Sequence, residues 1–127
     1  MKHLALIMDG NRRWARANKL SALMGHDNGA ATLRDIARAV ADRSIPFLSV
    51  FAFSTENWRR SPEEVSGLLQ LMRKFLMSET QSLVDENIRL VIIGDRTAFD
   101  KGFLELFETC EAASANCTGL VLTVAIN

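Results

Sequence analysis

Apolar and polar positions along this chain follow two alternating periods. Leu4 to Met8 is a short continuous apolar run, too short for an independent helix and typical of a strand buried on both faces. From Gly25 to about Ser44 the apolar residues Leu33, Ile36, Ala37, Val40 and Ala41 lie on one stripe at helical period. Phe47 to Phe53 reads as a second strand. Ser61, Pro62 and Glu64 then form a helix start, with a capping serine, a proline at the first helical position and a capping-box glutamate. The helix behind them turns Val65, Leu68, Leu69, Met72, Phe75 and Leu76 to one side. Arg89 to Gly94 reads as a third strand, Phe103, Leu106, Phe107 and Cys110 mark another helix, and Leu120 to Ile126 reads as a fourth strand.

Strand and helix alternate throughout, which predicts an α/β fold: a mostly parallel sheet with helices on both faces. Ligands of such sheets sit beyond the carboxyl ends of the strands, so the residues that follow strands are the candidates for chemistry. Asp9 to Arg13 follow the first strand, Ser54 to Arg60 the second, and Asp95 and Arg96 the third.

Composition narrows the picture. The 127 residues, 48% hydrophobic and 24% charged, are expected to form a single domain over residues 1–127 with its own core. Fifteen basic residues balance fifteen acidic ones, so no global field recruits nucleic acid or an anionic membrane, and any anion site is local. The N-terminus lacks the layout of a secretory signal, and no apolar run approaches the ~18 residues of a membrane span. The expectation is a cytoplasmic protein with at most peripheral membrane contact. Cys110 and Cys117 stand without a CxxC partner or a nearby histidine, which favours two reduced thiols over a zinc site.

The stretch "LALIMDGNRRWARA" places an acid, a glycine and an amide among arginines at the exit of a buried strand. Backbone N–H groups of the turn, with Arg12, Arg13 and Arg16, make a concentrated anion site. A carboxylate beside a bound phosphate repels it unless a cation lies between them, so Asp9 suggests a magnesium bridging carboxylate and phosphate oxygens. Plainer readings stand beside this one. Asp9-Gly10 also reads as an ordinary turn with Asp9 capping a helix, the arginines as a solvated face, His26 as a capping or packing residue, and Trp14 and Trp58 as wall or core. Known phosphate motifs are excluded: GxGxxG and GxxxxGK[ST] do not occur. A phosphoaspartyl phosphatase needs an acid where Asn11 stands, and a receiver domain needs an acidic cluster after the first strand.

Taken together, "MDGNRRWA", Gly25-His26, "FAFSTENWRRSPEEV", "IRLVIIGD" and "NCTGLVLTVAIN" resemble the cis-prenyltransferase family, the undecaprenyl diphosphate synthase group of isoprenyl transferases. The resemblance covers essentially the whole chain, and "DGNRRW" with "FSTENW" at this separation carries it. It implies a magnesium-dependent condensation of isopentenyl diphosphate with an allylic diphosphate. Asp9 would handle magnesium and assist diphosphate departure. Gly10, Asn11, Arg12, Arg13, Trp14 and His26 would hold the allylic diphosphate. Ser54, Thr55, Glu56, Asn57, Trp58 and Arg60 match the second active-site loop, with Asn57 as proton acceptor or its positioner. Ala52, Leu68, Leu69, Ile92 and Leu120 are the candidate walls of a hydrophobic tunnel. As partners the resemblance implies a second copy of the chain or a complementing subunit. Two departures are visible. Ala22 stands where the family has a diphosphate-holding arginine, and members are about twice as long, running on into "YGGR" and "RTSGE" segments where this sequence ends at Asn127. The expectation is therefore the N-terminal half of the fold, active only with its complement, or a non-catalytic prenyl-diphosphate-binding or regulatory subunit.

Overall fold

A computed structural model describes the backbone of all 127 residues and every side chain except that of Thr55. The chain runs β1 (His3–Ile7), α1 (Asn11–Ala17), α2 (Ala22–Asp42), β2 (Phe47–Phe53), a 3₁₀ helix (Thr55–Arg59), α3 (Pro62–Asp85), β3 (Arg89–Ile93), α4 (Lys101–Ser114) and β4 (Val121–Ile126). The four strands form one parallel sheet in the order β1-β2-β4-β3. Each predicted element is present. The largest boundary difference is α2, which begins three residues before Gly25 because Ser21 accepts the Met24 N–H at 3.3 Å. Ser61 likewise accepts the Glu64 N–H at 3.3 Å and starts α3, with Pro62 in the first turn. The carboxylate of Glu64, expected to reach back to the cap, turns instead to Arg60.

Register explains the core. Leu4, Leu48, Leu122 and Leu90 lie side by side across the sheet, as do Leu6, Val50, Val124 and Ile92, and these two rows carry the buried face of the sheet. Leu33, Ala37 and Val40 of α2, Leu76 and Leu83 of α3, and Phe103, Phe107 and Cys110 of α4 close over it. Both cysteines are free thiols, Cys110 buried and Cys117 half-buried.

The parallel α/β architecture is as expected, but the helical layer lies on one face. α4 does not cross to the opposite side. It lies along the outer edge of β3, where the Leu90 N–H donates to Ser114 Oγ at 2.9 Å and the Ile92 N–H to Glu111 Oε2 at 3.2 Å, so side chains of α4 occupy the edge that a further strand would use. On the other face the row Ile7, Phe51, Ala125 and Ile93 runs across the sheet, with Ile7 80%, Phe51 56% and Ile93 50% exposed. The continuous apolar runs that predicted strands buried on both sides are real, yet one of those sides is bare among the described residues.

Candidate active site

β1 delivers Asp9 and Gly10 to its carboxyl end. Gly10 adopts φ +85°, a left-handed conformation that suits glycine, and this bend lets α1 begin at once. Asp9 does not cap α1. Its Oδ1 accepts the Gly10 N–H at 2.7 Å and its Oδ2 receives Arg13 at 3.1 Å, with both side chains about three-quarters exposed. Among the described residues no side chain caps α1, so its first-turn N–H groups are left for solvent or a ligand. α1 is then seated on α2 by a glycine contact. A Cβ at Gly25 would collide with the Asn11 carbonyl oxygen and with Ala15, so only glycine allows this approach. His26, the next residue, is thereby held close to the β1 loop.

β2 delivers the second loop. The Ser54 N–H and Oγ both donate to Asn57 Oδ1, at 2.7 and 2.9 Å, so the Asn57 amide oxygen holds the loop's own entry. Arg60 donates to Glu64 at 2.9 Å, and Arg12 Nε approaches the same oxygen at 3.8 Å. Glu64 therefore ties α1, the β2 loop and α3 together. Pattern reading used Glu64 only as a capping residue; its place four residues after Arg60 was the available signal.

Between the sheet, α2 and α3 lies a cavity of about 560 Å³. Asn11, His26, Ser54, Glu56, Asn57 and Arg60 line its polar part, and Leu33, Leu68, Met72, Phe75, Leu76, Ile92, Phe107 and Val124 its apolar part. A second cavity of about 480 Å³, lined by Asp9, Gly10, Asn11, Trp14, Asn28 and Thr32 among others, lies on the β1 side, and Asn11 belongs to both. Arg12 and Arg13 line neither and act through Glu64 and Asp9.

Other expected residues fall elsewhere. Trp58 lines neither cavity. Its ring packs edge-on against Phe53 at 4.8 Å and Phe99 at 5.5 Å, and its buried Nε1 has no partner among the described residues. The aromatic cluster takes the indole because Phe99, Phe103 and Phe107 already stack behind it. The side chain of Thr55 lies outside the described residues. Of the tunnel candidates, Ala52, Leu68 and Ile92 line the cavity. Leu69 and Leu120 do not: Leu120 is buried at the start of β4, and Leu69 packs half-buried against the core. Leu33, Phe75 and Val124 were not singled out as walls, since periodicity alone does not separate cavity from core. Asp95 and Arg96 turn away from the site, Asp95 to Thr97 and Arg96 to Glu111.

Among the described residues no group of three or more His, Cys, Asp or Glu could hold a metal. Asp9 is a lone carboxylate, which matches the way Mg²⁺ binds through one or two carboxylates plus substrate phosphates. The residues thus fit magnesium as a substrate-borne ion.

Burial, and then the positive charges of Arg60 and Arg12, hold His26 below the usual imidazole range, with Glu64 acting in the opposite direction. Its Nε2 is buried with no partner among the described residues. An imidazole with a depressed folded-state pKa binds its proton more weakly in the native than in the unfolded chain. Stability is therefore full above the unfolded value of about 6.5 and falls as pH drops from there toward the folded value. His26→Gln should remove this acid-side loss. Urea melts of both proteins between neutral and mildly acid pH test it, and parallel losses in the two would refute the assignment.

The family model described as "Putative undecaprenyl diphosphate synthase" matches residues 7–127. An isoprenyl transferase of Neisseria meningitidis is 44% identical over 124 residues, 98% of this chain and 50% of its own length. One from Wolinella succinogenes is 42% identical over 127 residues, 100% of this chain and 56% of its own. This chain thus spans about half the length of the curated relatives it matches. Among solved structures, lavandulyl diphosphate synthase from Lavandula x intermedia, in complex with dimethylallyl diphosphate, superposes with a TM-score of 0.94 at 28% identity, covering 98% of this chain and 54% of that one. A probable undecaprenyl diphosphate synthase from Campylobacter jejuni superposes with a TM-score of 0.79 at 30% identity, covering 98% and 53%.

Proposed function

Because this chain belongs to the undecaprenyl diphosphate synthase family, we infer that it supplies the allylic-diphosphate half of a magnesium-dependent cis-prenyltransferase site. The observation that carries the reading is the union of a polar mouth, which carries the Arg60 guanidinium, with an apolar cavity. His26, Asn57 and Arg60 share one 560 Å³ space with Leu33, Met72, Phe75 and Leu76, and this suits a ligand that is an anion at one end and hydrocarbon at the other. Dimethylallyl diphosphate, held by the lavender enzyme in its structure, has that chemistry.

In this reading the α1 first-turn N–H groups and Arg13 hold the diphosphate, and Asp9 faces it as the carboxylate for magnesium. Magnesium, when bound, supplies a divalent charge that neutralises the departing diphosphate. Ionisation of the allylic C–O bond spreads negative charge over that group, and fixed N–H dipoles and guanidinium groups stabilise it. Arg13, paired with Asp9 at 3.1 Å, would share that carboxylate with magnesium and keep its remaining N–H donors for phosphate oxygens. Asn57, held by Ser54, orients groups at the cavity mouth. The apolar wall shields the allylic cation from water. Isopentenyl diphosphate would be placed with the help of the half of the family fold that this chain does not match, in the same chain, a second copy or a complementing subunit.

A second reading, a non-catalytic prenyl-diphosphate-binding subunit, rests on Ala22. It opens α2 one turn before His26, where the resembling family carries an arginine. Both readings require the amphiphile to bind. Calorimetry should show farnesyl diphosphate with magnesium binding the chain at least tenfold more tightly than farnesol, the margin of one charge-assisted contact of about 1.5–3 kcal/mol. Equal affinities would reduce the arginines to a solvated face and overturn both readings.

A further inference from the structure

Helices α2 and α3 run parallel, since each follows a strand of a parallel sheet, and three ion pairs cross the seam between them in the same order along both. Lys74 lies 3.5 Å from Asp27, Arg34 3.1 Å from Glu79, and Arg38 2.6 Å from Glu86. Positions 27, 34 and 38 share one face of α2 at helical spacing. The Arg34–Glu79 pair is the most sheltered of the three, its side chains 33% and 19% exposed.

The apolar cavity lies between the same two helices. It is lined by Ala30 and Leu33 on α2 and reaches Leu76 on α3. One turn further on, Ala37 and Val40 of α2 and Thr80 and Leu83 of α3 are buried and line neither cavity. The first ion pair therefore stands beside the cavity, and the second and third stand at and beyond Leu33 and Leu76, the last residues of α2 and α3 that line it. At a share of ~30 Å³ for each water-sized group, a cavity of about 560 Å³ holds on the order of twenty such groups. That accommodates the hydrocarbon of farnesyl diphosphate but not that of solanesyl diphosphate.

A longer hydrocarbon advances only if a wall yields. The sheet is tied by a continuous backbone ladder from β1 to β3, whereas α2 and α3 are joined by side chains alone. We propose that the Arg34–Glu79 and Arg38–Glu86 pairs form a latch on this seam that sets the longest hydrocarbon the cavity accepts. The proposal rests on the prenyl-diphosphate reading of the same cavity. It assigns a specificity role to four charged residues, none of which lines the cavity.

The test is competition by farnesyl and solanesyl diphosphates against a fluorescent farnesyl diphosphate analogue, on the parent chain and on Glu79→Gln/Glu86→Gln. Removing both carboxylate charges should raise the affinity for solanesyl diphosphate about fivefold, as expected for two partly exposed pairs, and leave that for farnesyl diphosphate within about twofold. The charge-exchanged Arg34→Glu/Glu79→Arg chain should return toward the parent preference. Arg38→Gln, which opens only the deepest pair, should shift it less in the same direction, and it keeps the test alive if the double variant melts early. An unchanged ratio of the two affinities in folded variants overturns the latch and leaves the functional reading standing. A parent chain that binds neither diphosphate fails that reading, and the latch falls with it.

Discussion

Asp9→Ala should lower turnover about 10²- to 10³-fold in the complete assembly that contains this chain, the loss usual when one electrostatic contribution to a transition state is removed, here the magnesium that Asp9 would hold. In the isolated chain it should abolish the gain in farnesyl diphosphate affinity that magnesium confers. Among the described residues Asp9 is the only carboxylate lining the β1-side cavity, and the alternative for an acid in this position, capping α1, is not what it does. Its two hydrogen bonds, to the Gly10 N–H and to Arg13, are both exposed, so the fold should lose little. The decisive measurements are initial rates at saturating magnesium beside urea melts of the same preparation. Turnover within tenfold of the parent, with an unchanged melt, would remove magnesium binding from Asp9.

Phe107→Ala should cost about 3–5 kcal/mol of stability, a large share of the roughly 5–15 kcal/mol that holds a domain together. Phe107 is fully buried. Its ring lies 5.3 Å from Phe99 and 5.9 Å from Phe103 by centroids, and the Arg96 guanidinium sits over it at 5.6 Å. It also lines the 560 Å³ cavity, so the void left by its loss merges with a space that is already open, and the surroundings have little reason to collapse into it. Through Phe99 the same cluster supports Trp58, so the β2 loop should loosen and farnesyl diphosphate affinity should fall with stability. Phe107→Leu should recover most of both. Urea unfolding with an unchanged m-value checks the first effect, and a loss below about 1 kcal/mol would mean that α4 repacks freely.

The sequence by itself determined the element order, because each element is set by local rules. Apolar runs of strand length, a helical stripe on α2 and the Ser61-Pro62 start of α3 need no distant partner to be read. It also marked Asp9 to Arg13 and Ser54 to Arg60 as candidates, since residues after parallel strands gather at one end of the sheet, whereas His26 joined them only through the resemblance. The motif pair "DGNRRW" and "FSTENW" carried the family for the same reason: it is a local string.

Tertiary structure decided what depends on which of two neighbours a side chain meets. A continuous apolar strand predicts cover on both faces, but cover comes from helices elsewhere in the chain, and α4 settled against the β3 edge instead of the second face. Periodicity put Leu68, Leu69 and Met72 on one side of α3 without showing that the sheet and α2 part there to leave a cavity. Leu68 and Met72 line it and Leu69 does not. Trp58 sits in a loop string that reads as ligand contact, yet apolar area from Phe53 and Phe99 draws its ring inward. Glu64 reads as a cap from spacing alone, and only the approach of Arg12 from α1 turns it into the tie of the site. In each case the sequence sets what a residue can do, and burial against distant partners selects which of those things it does.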